Sequence, residues 1–94
     1  MRNIQLIIAY KGTCYAGWQR QNNAVTVEET ITNAIESITR EKIVLYGSGR
    51  TDAGVHAIGQ SANFYTMSQI PEERFAFAIN TKLPLDIRIQ KSME

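Results

Sequence analysis

The 94-residue sequence predicts an α+β domain, four strands and two helices in the order β-α-β-β-α-β. Three observations predict it. Near both ends of the chain, apolar residues recur at every second position, in NIQLIIAY at residues 3–10 and in IRIQ at residues 87–90. Between these ends, two stretches carry apolar residues at helical spacing, each behind a helix-start signal. Two further β-rich runs separate those helices and are joined by a glycine-rich connection.

In the first strand Ile4, Leu6, Ile8 and Tyr10 share one face, with Gln5, Ile7 and Ala9 on the other. Residues 11–25 form a long connection rich in Gly, Asn and Gln. Thr26 followed by Glu29 is a capping box, and Glu28 and Glu29 suit the positive end of a helix dipole. Val27, Ile31, Ala34, Ile35 and Ile38 follow at helical spacing, with Arg40 and Lys42 placed for the far end. Ile43 to Tyr46 is a short second strand that stops at Gly47, and Gln60 to Thr66 is a third, with Ala62 and Phe64 on one face. Pro71, Glu72 and Glu73 open a second helix, because proline tolerates the first helical position. Its stripe is Phe75, Ala78, Ile79 and Leu83, and Pro84 stops it. Ile87 and Ile89 then alternate with Arg88 and Gln90 in the last strand.

That order favours a ferredoxin-like sandwich, an antiparallel sheet with both helices packed on one face. Ile7, Ala9 and Tyr65 fall in the phase opposite Ile8 and Phe64. The second sheet face is therefore expected to be apolar and to need a cover, and self-association is expected where none is supplied. RNA-recognition modules share this topology, so the fold leaves function open.

Composition narrows the classes. Leu, Ile, Val and Phe fill 23 of 94 positions, enough for one core and not two. A single cysteine, Cys14, excludes an internal disulfide framework and a multi-thiolate metal site. A single histidine, His56, argues against a histidine-rich metal centre, and neither a metal nor a cofactor is expected. No apolar run reaches membrane-span length, and the opening is too short and polar for a signal peptide, so a cytoplasmic setting is expected. Net charge is +1 but unevenly spread. Residues 1–27 carry Arg2, Lys11 and Arg20 and no acid, whereas residues 28–41 carry four glutamates against Arg40. An anionic partner would meet the first segment.

The chemistry-bearing segment is GSGRTDAGVHAIG, residues 47–59. Hairpin loops usually take two to five residues, and long loops are often functional. Gly47, Gly49, Gly54 and Gly59 permit unusual backbone angles and close approach by a ligand. Arg50 and Asp52 flank Thr51, so a phosphate-binding cation and a carboxylate lie two apart. On these residues alone two readings stand: a site, or a hairpin with Asp52 in a local Asx-turn. The earlier segment KGTCYAGWQRQ interleaves Lys11 and Arg20 with Tyr15 and Trp18, a pattern suited to nucleic acid. Trp18 is better explained as a loop anchor on the core, and Cys14 as a small apolar filler. His56 fits a hydrogen bond within its loop or a contact with substrate.

GSGRTDAGVHAIGQ resembles the signature segment of the tRNA pseudouridine synthase A family. IAYKGTCYAGWQRQ is similar to the start of the same enzymes, and LPLDIRI to the close of their first domain. The resemblance covers essentially all 94 residues. It implies that Asp52 is the catalytic aspartate and that Arg50 engages RNA where the target uridine is flipped out. Lys11, Arg20 and His56 are the further RNA-binding candidates, and Gly49, Thr51 and Gly54 shape the loop. The implied partner is tRNA, at its anticodon stem-loop, with no membrane involved and a homodimer for the full-length enzyme. Lys11 stands where the family usually shows an acidic residue. Residues 1–94 match the N-terminal catalytic-aspartate domain; the family's second domain, which adds a tyrosine and basic residues to the cleft, is expected to be missing from this chain, leaving it inactive alone.

The implied reaction breaks the bond from ribose C1′ to uracil N1, turns the base and joins C1′ to C5. Uracil anion is a better leaving group than an alkoxide, so the second carboxyl of a glycosidase is less needed. Asp52 fits either a nucleophile at the sugar or a base at C2′ leading to a glycal, and both stay open. Arg50 would favour ionised Asp52 and fill the space left by a flipped base. Two other functions remain: a non-catalytic RNA-recognition module, for which QSANFYT lacks the expected aromatic pattern, and a protein-assembly domain using the open sheet face.

Overall fold

The computed structural model describes residues 1–11, 26–47 and 57–94. Its elements are β1 (Arg2–Tyr10), α1 (Val27–Thr39), β2 (Tyr46–Gly47), β3 (Ala57–Thr66), α2 (Arg74–Asn80) and β4 (Ile87–Met93). The strands form one antiparallel sheet in the order β2-β3-β1-β4, which gives the expected ferredoxin-like α+β arrangement. β1 is bonded along both edges, to β3 from Arg2↔Thr66 to Tyr10↔Ala57 and to β4 from Gln5↔Met93 to Tyr10↔Ile87. Its alternation is the main organiser of the core. Ile4, Leu6, Ile8 and Tyr10 are buried with Phe64 of β3 and Ile87 and Ile89 of β4, against Val27, Ile31 and Ile35 of α1 and Phe75 and Ile79 of α2. Phe64 and Phe75 meet edge to face at 5.6 Å between ring centroids.

α1 begins as the capping box requires. Thr26 is extended and fully buried, and its Oγ1 accepts from the Glu29 backbone N–H at 3.3 Å. The far end carries Arg40 as expected, beyond the last turn. No basic residue lies in the last turn; Arg40 is the cap residue, left-handed at φ 58°, and its N–H donates to the Glu36 carbonyl. Non-glycine residues adopt that conformation at a cost, which the cap bond offsets.

Ile43 to Tyr46 does not form the expected strand, and only Tyr46 and Gly47 enter the ladder. Side-chain carboxylates hold this stretch instead. Glu36 Oε2 accepts from the Ile43 N–H at 2.9 Å, while Glu41 accepts from the Met67 N–H at 2.9 Å and the Thr66 hydroxyl at 2.6 Å. Ile43 and Leu45 are buried, so their alternation reports burial without pairing.

α2 is shorter than Pro71 to Leu83. Pro71–Glu73 and Thr81–Leu83 are tight turns, seen in the bonds from Arg74 N–H to the Pro71 carbonyl and from Lys82 N–H to the Ile79 carbonyl. Its own N-cap, Glu73, makes no side-chain cap bond. Ser92, from β4, does the capping: its Oγ accepts from the Ala76 N–H at 2.9 Å and donates to the Glu72 carbonyl at 2.6 Å. At the other end the Asn80 amide brackets one residue of β4. It accepts from the Ile89 N–H at 2.8 Å and donates to the Ile89 carbonyl at 3.0 Å, as a neighbouring strand would. β4 runs on to Met93, beyond the expected Gln90, because a one-residue slip between Ile8↔Ile89 and Ile7↔Lys91 restores the alternation.

Arg2 closes the sheet end where the chain starts. It bonds Glu94 at 3.1 Å and the carbonyls of Ser68 and Ile70 at 2.8 and 2.7 Å, and lies over the Phe75 ring.

The open face corrects the expectation of an apolar surface. Ile7, Ala9 and Tyr65 do lie on it, but Asn3, Gln5, Ser61 and Asn63 lie between them. These polar groups are bonded in diagonals, Gln5 Nε2 to Ser61 Oγ at 2.8 Å and Asn63 Nδ2 to Asn3 Oδ1 at 3.0 Å. Polar rungs between the apolar residues make this face mixed in character and not an unbroken apolar surface. Among the described residues no helix is long and apolar enough to cross a membrane.

Two variants test this framework. The bonds from Met67, Thr66 and Ser68 hold the Glu41 carboxyl below its ordinary value of 4.5, against a smaller opposing effect of burial. A lowered folded value means stability gained above pH 4.5 and lost as pH falls through the lowered value. In urea titrations Glu41→Gln should therefore lose up to about 1 kcal/mol at neutral pH, with the difference from the parent chain fading in acid. Gly59 has φ +83°, and a Cβ there would meet nothing within 4 Å. Gly59→Ala should cost about 1–2 kcal/mol through backbone strain alone, and a thermal melt should show Gly59→Asn losing less.

Candidate functional site

The strand pairings bring the start of the first long connection beside the end of the second. β1 finishes at Tyr10, opposite Ala57 where β3 begins and opposite Ile87 where β4 begins. β2 finishes at Gly47, and β3 runs from Ala57 to its first β2 partner at Ala62. The connection 12–25 therefore departs beside the point where residues 48–56 rejoin the sheet. It returns at Thr26, whose capped, buried side chain fixes the start of α1.

Local sequence explains this geometry. The pairing of β1 with β3 slips between Ile8↔Gln60 and Tyr10↔Ala57, and Gly59, left-handed, sits in the slip. A bulge of this kind bends the strand and redirects what precedes it. It lengthens β3 beyond the expected start at Gln60, so Ala57 to Gly59 belong to the strand and the connection itself is shorter than thirteen residues. The Tyr10 hydroxyl donates to Gln60 Oε1 at 2.8 Å across the bulge. The Lys11 N–H donates to the Asp86 carbonyl at 2.9 Å, which pins the first residue of the 11–25 connection to the turn before β4.

Of the candidate residues, the structure places Lys11, exposed at this end of the sheet. Arg20, Gly49, Arg50, Thr51, Asp52, Gly54 and His56 lie outside the described residues, as do Cys14, Tyr15 and Trp18. Among the described residues, no three His, Cys, Asp or Glu side chains gather as a metal site would need.

The structure adds surface residues that the sequence reading passed over. Tyr46 stands next to Gly47, where the glycine-rich connection begins, and packs edge to face with Tyr65 at 6.3 Å. Lys91 lies across the sheet on the same side as Ile7. The signal for these was available in the phase of Asn3, Gln5 and Ile7 against Ile4, Leu6 and Ile8. It needed the β2 and β4 registers to become a surface. β1 itself shows no aromatic on this side, unlike the pattern of an RNA-recognition module.

Comparison with known proteins bears on what this arrangement serves. Residues 6–94 match the family model described as tRNA pseudouridine synthase. Among curated relatives, the tRNA pseudouridine synthase A of Acetivibrio thermocellus is 57% identical over all 94 residues, which cover 38% of its length. Those of Caldicellulosiruptor saccharolyticus and Clostridium botulinum are each 56% identical, again over the whole chain and 38% of their length. The chain thus spans well under half the length of the curated relatives it matches. On a match running from Leu6 to Glu94, the chain belongs to the tRNA pseudouridine synthase family.

Proposed function

We propose that residues 1–94 are the catalytic-aspartate domain of a tRNA-uridine isomerase that forms pseudouridine in the anticodon stem-loop. The family match over residues 6–94 carries this reading, since that span includes the whole of GSGRTDAGVHAIG. Asp52 acts at the ribose, as nucleophile at C1′ or as base at C2′. Arg50 holds the RNA backbone or fills the space of the flipped base, and keeps Asp52 ionised as RNA closes over it. Lys11, Arg20 and His56 contact the RNA, while Gly49, Thr51 and Gly54 shape the loop. The meeting of two connections at one end of the sheet supports this assignment, because a basic segment starts beside the point where the carboxylate-bearing loop ends.

The remaining length of the relatives fits a C-terminal domain that closes the other side of the cleft, in an enzyme working as a homodimer in the cytoplasm. Residues 1–94 then supply one wall of that cleft, and positioning and water exclusion between two walls account for many orders of magnitude in rate.

Two substitutions, made in an enzyme of the relatives' full length carrying this domain, test the roles. Asp52→Asn should abolish tritium release from uridine-labelled tRNA while leaving RNA affinity within a few-fold; turnover near the parent rate would remove Asp52 from the chemistry. Arg50→Ala should slow turnover and lower the salt slope of RNA binding by about one phosphate contact. An unchanged rate, affinity and slope would make Arg50 a structural residue.

A further inference from the structure

We infer that Tyr10 and Gln60 are a positioning pair for the reaction, holding the point at which the segment that carries Asp52 rejoins the sheet. The inference rests on the assignment of Asp52 above and adds two residues that act through it. The hydroxyl is the first ground. Ile4, Leu6, Ile8 and Tyr10 of β1 face the helices, and the other buried aromatic side chains among the described residues are Phe64 and Phe75. A phenyl ring would fill the Tyr10 position equally and would bring no polar group into an apolar cluster. Burying a hydroxyl costs free energy unless it is bonded, and this one donates to Gln60 Oε1 at 2.8 Å. Gln60 is only partly buried, so its amide can turn to water when the hydroxyl is taken away. The pair therefore adds little net stability. What it adds is a fixed distance between two strands.

The second ground is how little else holds this end of β3. β2 pairs with β3 at Asn63 and Ala62. From Ala57 to Ser61, β1 is the one strand paired with β3 among the described residues, and the register slips inside that stretch, at left-handed Gly59. A bulge interrupts the ladder and leaves a residue without a partner. Tyr10 is the register partner of Ala57 through its backbone and the partner of Gln60 through its hydroxyl, so one residue grips both sides of the slip.

The third ground is that Tyr10 is itself fixed. Its other edge is paired with Ile87, and the next residue, Lys11, donates its N–H to the Asp86 carbonyl at 2.9 Å. β4 is in turn tied to α2 through Asn80 and Ser92. Support thus runs from α2 through β4 and β1 to the Gln60 amide. Asp52 stands five positions before Ala57 in the sequence, which keeps it within roughly 18 Å of that anchor at full extension. Misplacing a reacting group by about 1 Å costs on the order of 100-fold in rate. Tyr10 and Gln60 therefore act on kcat, through Asp52, and leave the affinity for RNA alone.

The test is the kinetics of tritium release at varied tRNA, together with backbone hydrogen exchange, in an enzyme of the relatives' full length carrying this domain. Tyr10→Phe should lower kcat about 10- to 100-fold with KM and the melting midpoint unchanged. Gln60→Ala should match it, whereas Gln60→Glu, which keeps an acceptor oxygen, should retain most of kcat. The double variant, Tyr10→Phe with Gln60→Ala, should be no slower than the slower single, as partners in one bond require. Amides of residues 59–61 should exchange about 2- to 10-fold faster in Tyr10→Phe, with those of α1 unchanged. Parent-like kcat in Tyr10→Phe would overturn the inference. So would additive losses, a raised KM at constant kcat, or a fall in melting midpoint that accounts for the lost activity. Exchange is read whether or not the enzyme isomerises. Parent turnover in Asp52→Asn would strike the proposed function, whereas unchanged exchange in Tyr10→Phe would strike this pair alone.

Discussion

The two-sided pairing of β1 is the constraint on which the rest of the structure depends. A strand bonded on both edges cannot slide without moving two neighbours, and a slip of one residue would turn Ile4, Leu6, Ile8 and Tyr10 out of the core together. Both irregularities in the sheet are placed to spare that face. The slip beside Gly59 lets β3 bend while Phe64 and Ala62 keep their places under the helices, and the slip near Gln90 lets β4 continue while Ile89 and Ser92 both point inward. Helix positions follow from the same pattern, since α1 and α2 have one apolar surface to rest on.

Where sequence periodicity and local chemistry agreed, the elements were legible. The Thr26 cap, the stripe from Val27 to Ile35 and the alternation of β1 are local facts, and the chain obeys them. The misreadings share a cause: a side chain distant in sequence replaced a local partner. Ser92 caps α2 from another element, so nothing near Glu73 announces where the helix begins. Glu36 and Glu41 hold the stretch before β2, so its β-like alternation occurs without a ladder. The open face was misjudged because three apolar residues were counted without the amides that lie between them across strands.

The candidate site divides in the same manner. Its motif was legible because Arg50, Thr51 and Asp52 are contiguous among glycines, and the resemblance to the synthases was carried by those same residues. What no linear reading could give is the shared anchorage at Tyr10 and Ala57, which comes from a register between strands more than forty residues apart in sequence. Lys11, the described member of the set, is fastened through its backbone to Asp86, leaving its side chain exposed at that anchorage.

The Asn80 amide set against Ile89 has a consequence for how this fold can vary. β4 is an outer strand, and an outer strand is an invitation to other chains. A carboxamide offers a donor and an acceptor on one planar group, as a peptide bond does, so Ile89 is already met as if by a fifth strand. Aspartate at this position would lack the donor, and glutamine, the other carboxamide, is not reached from an asparagine codon by one base change. Asn80 thus shields Ile89 from pairing with another chain by a group that only one other residue type could imitate.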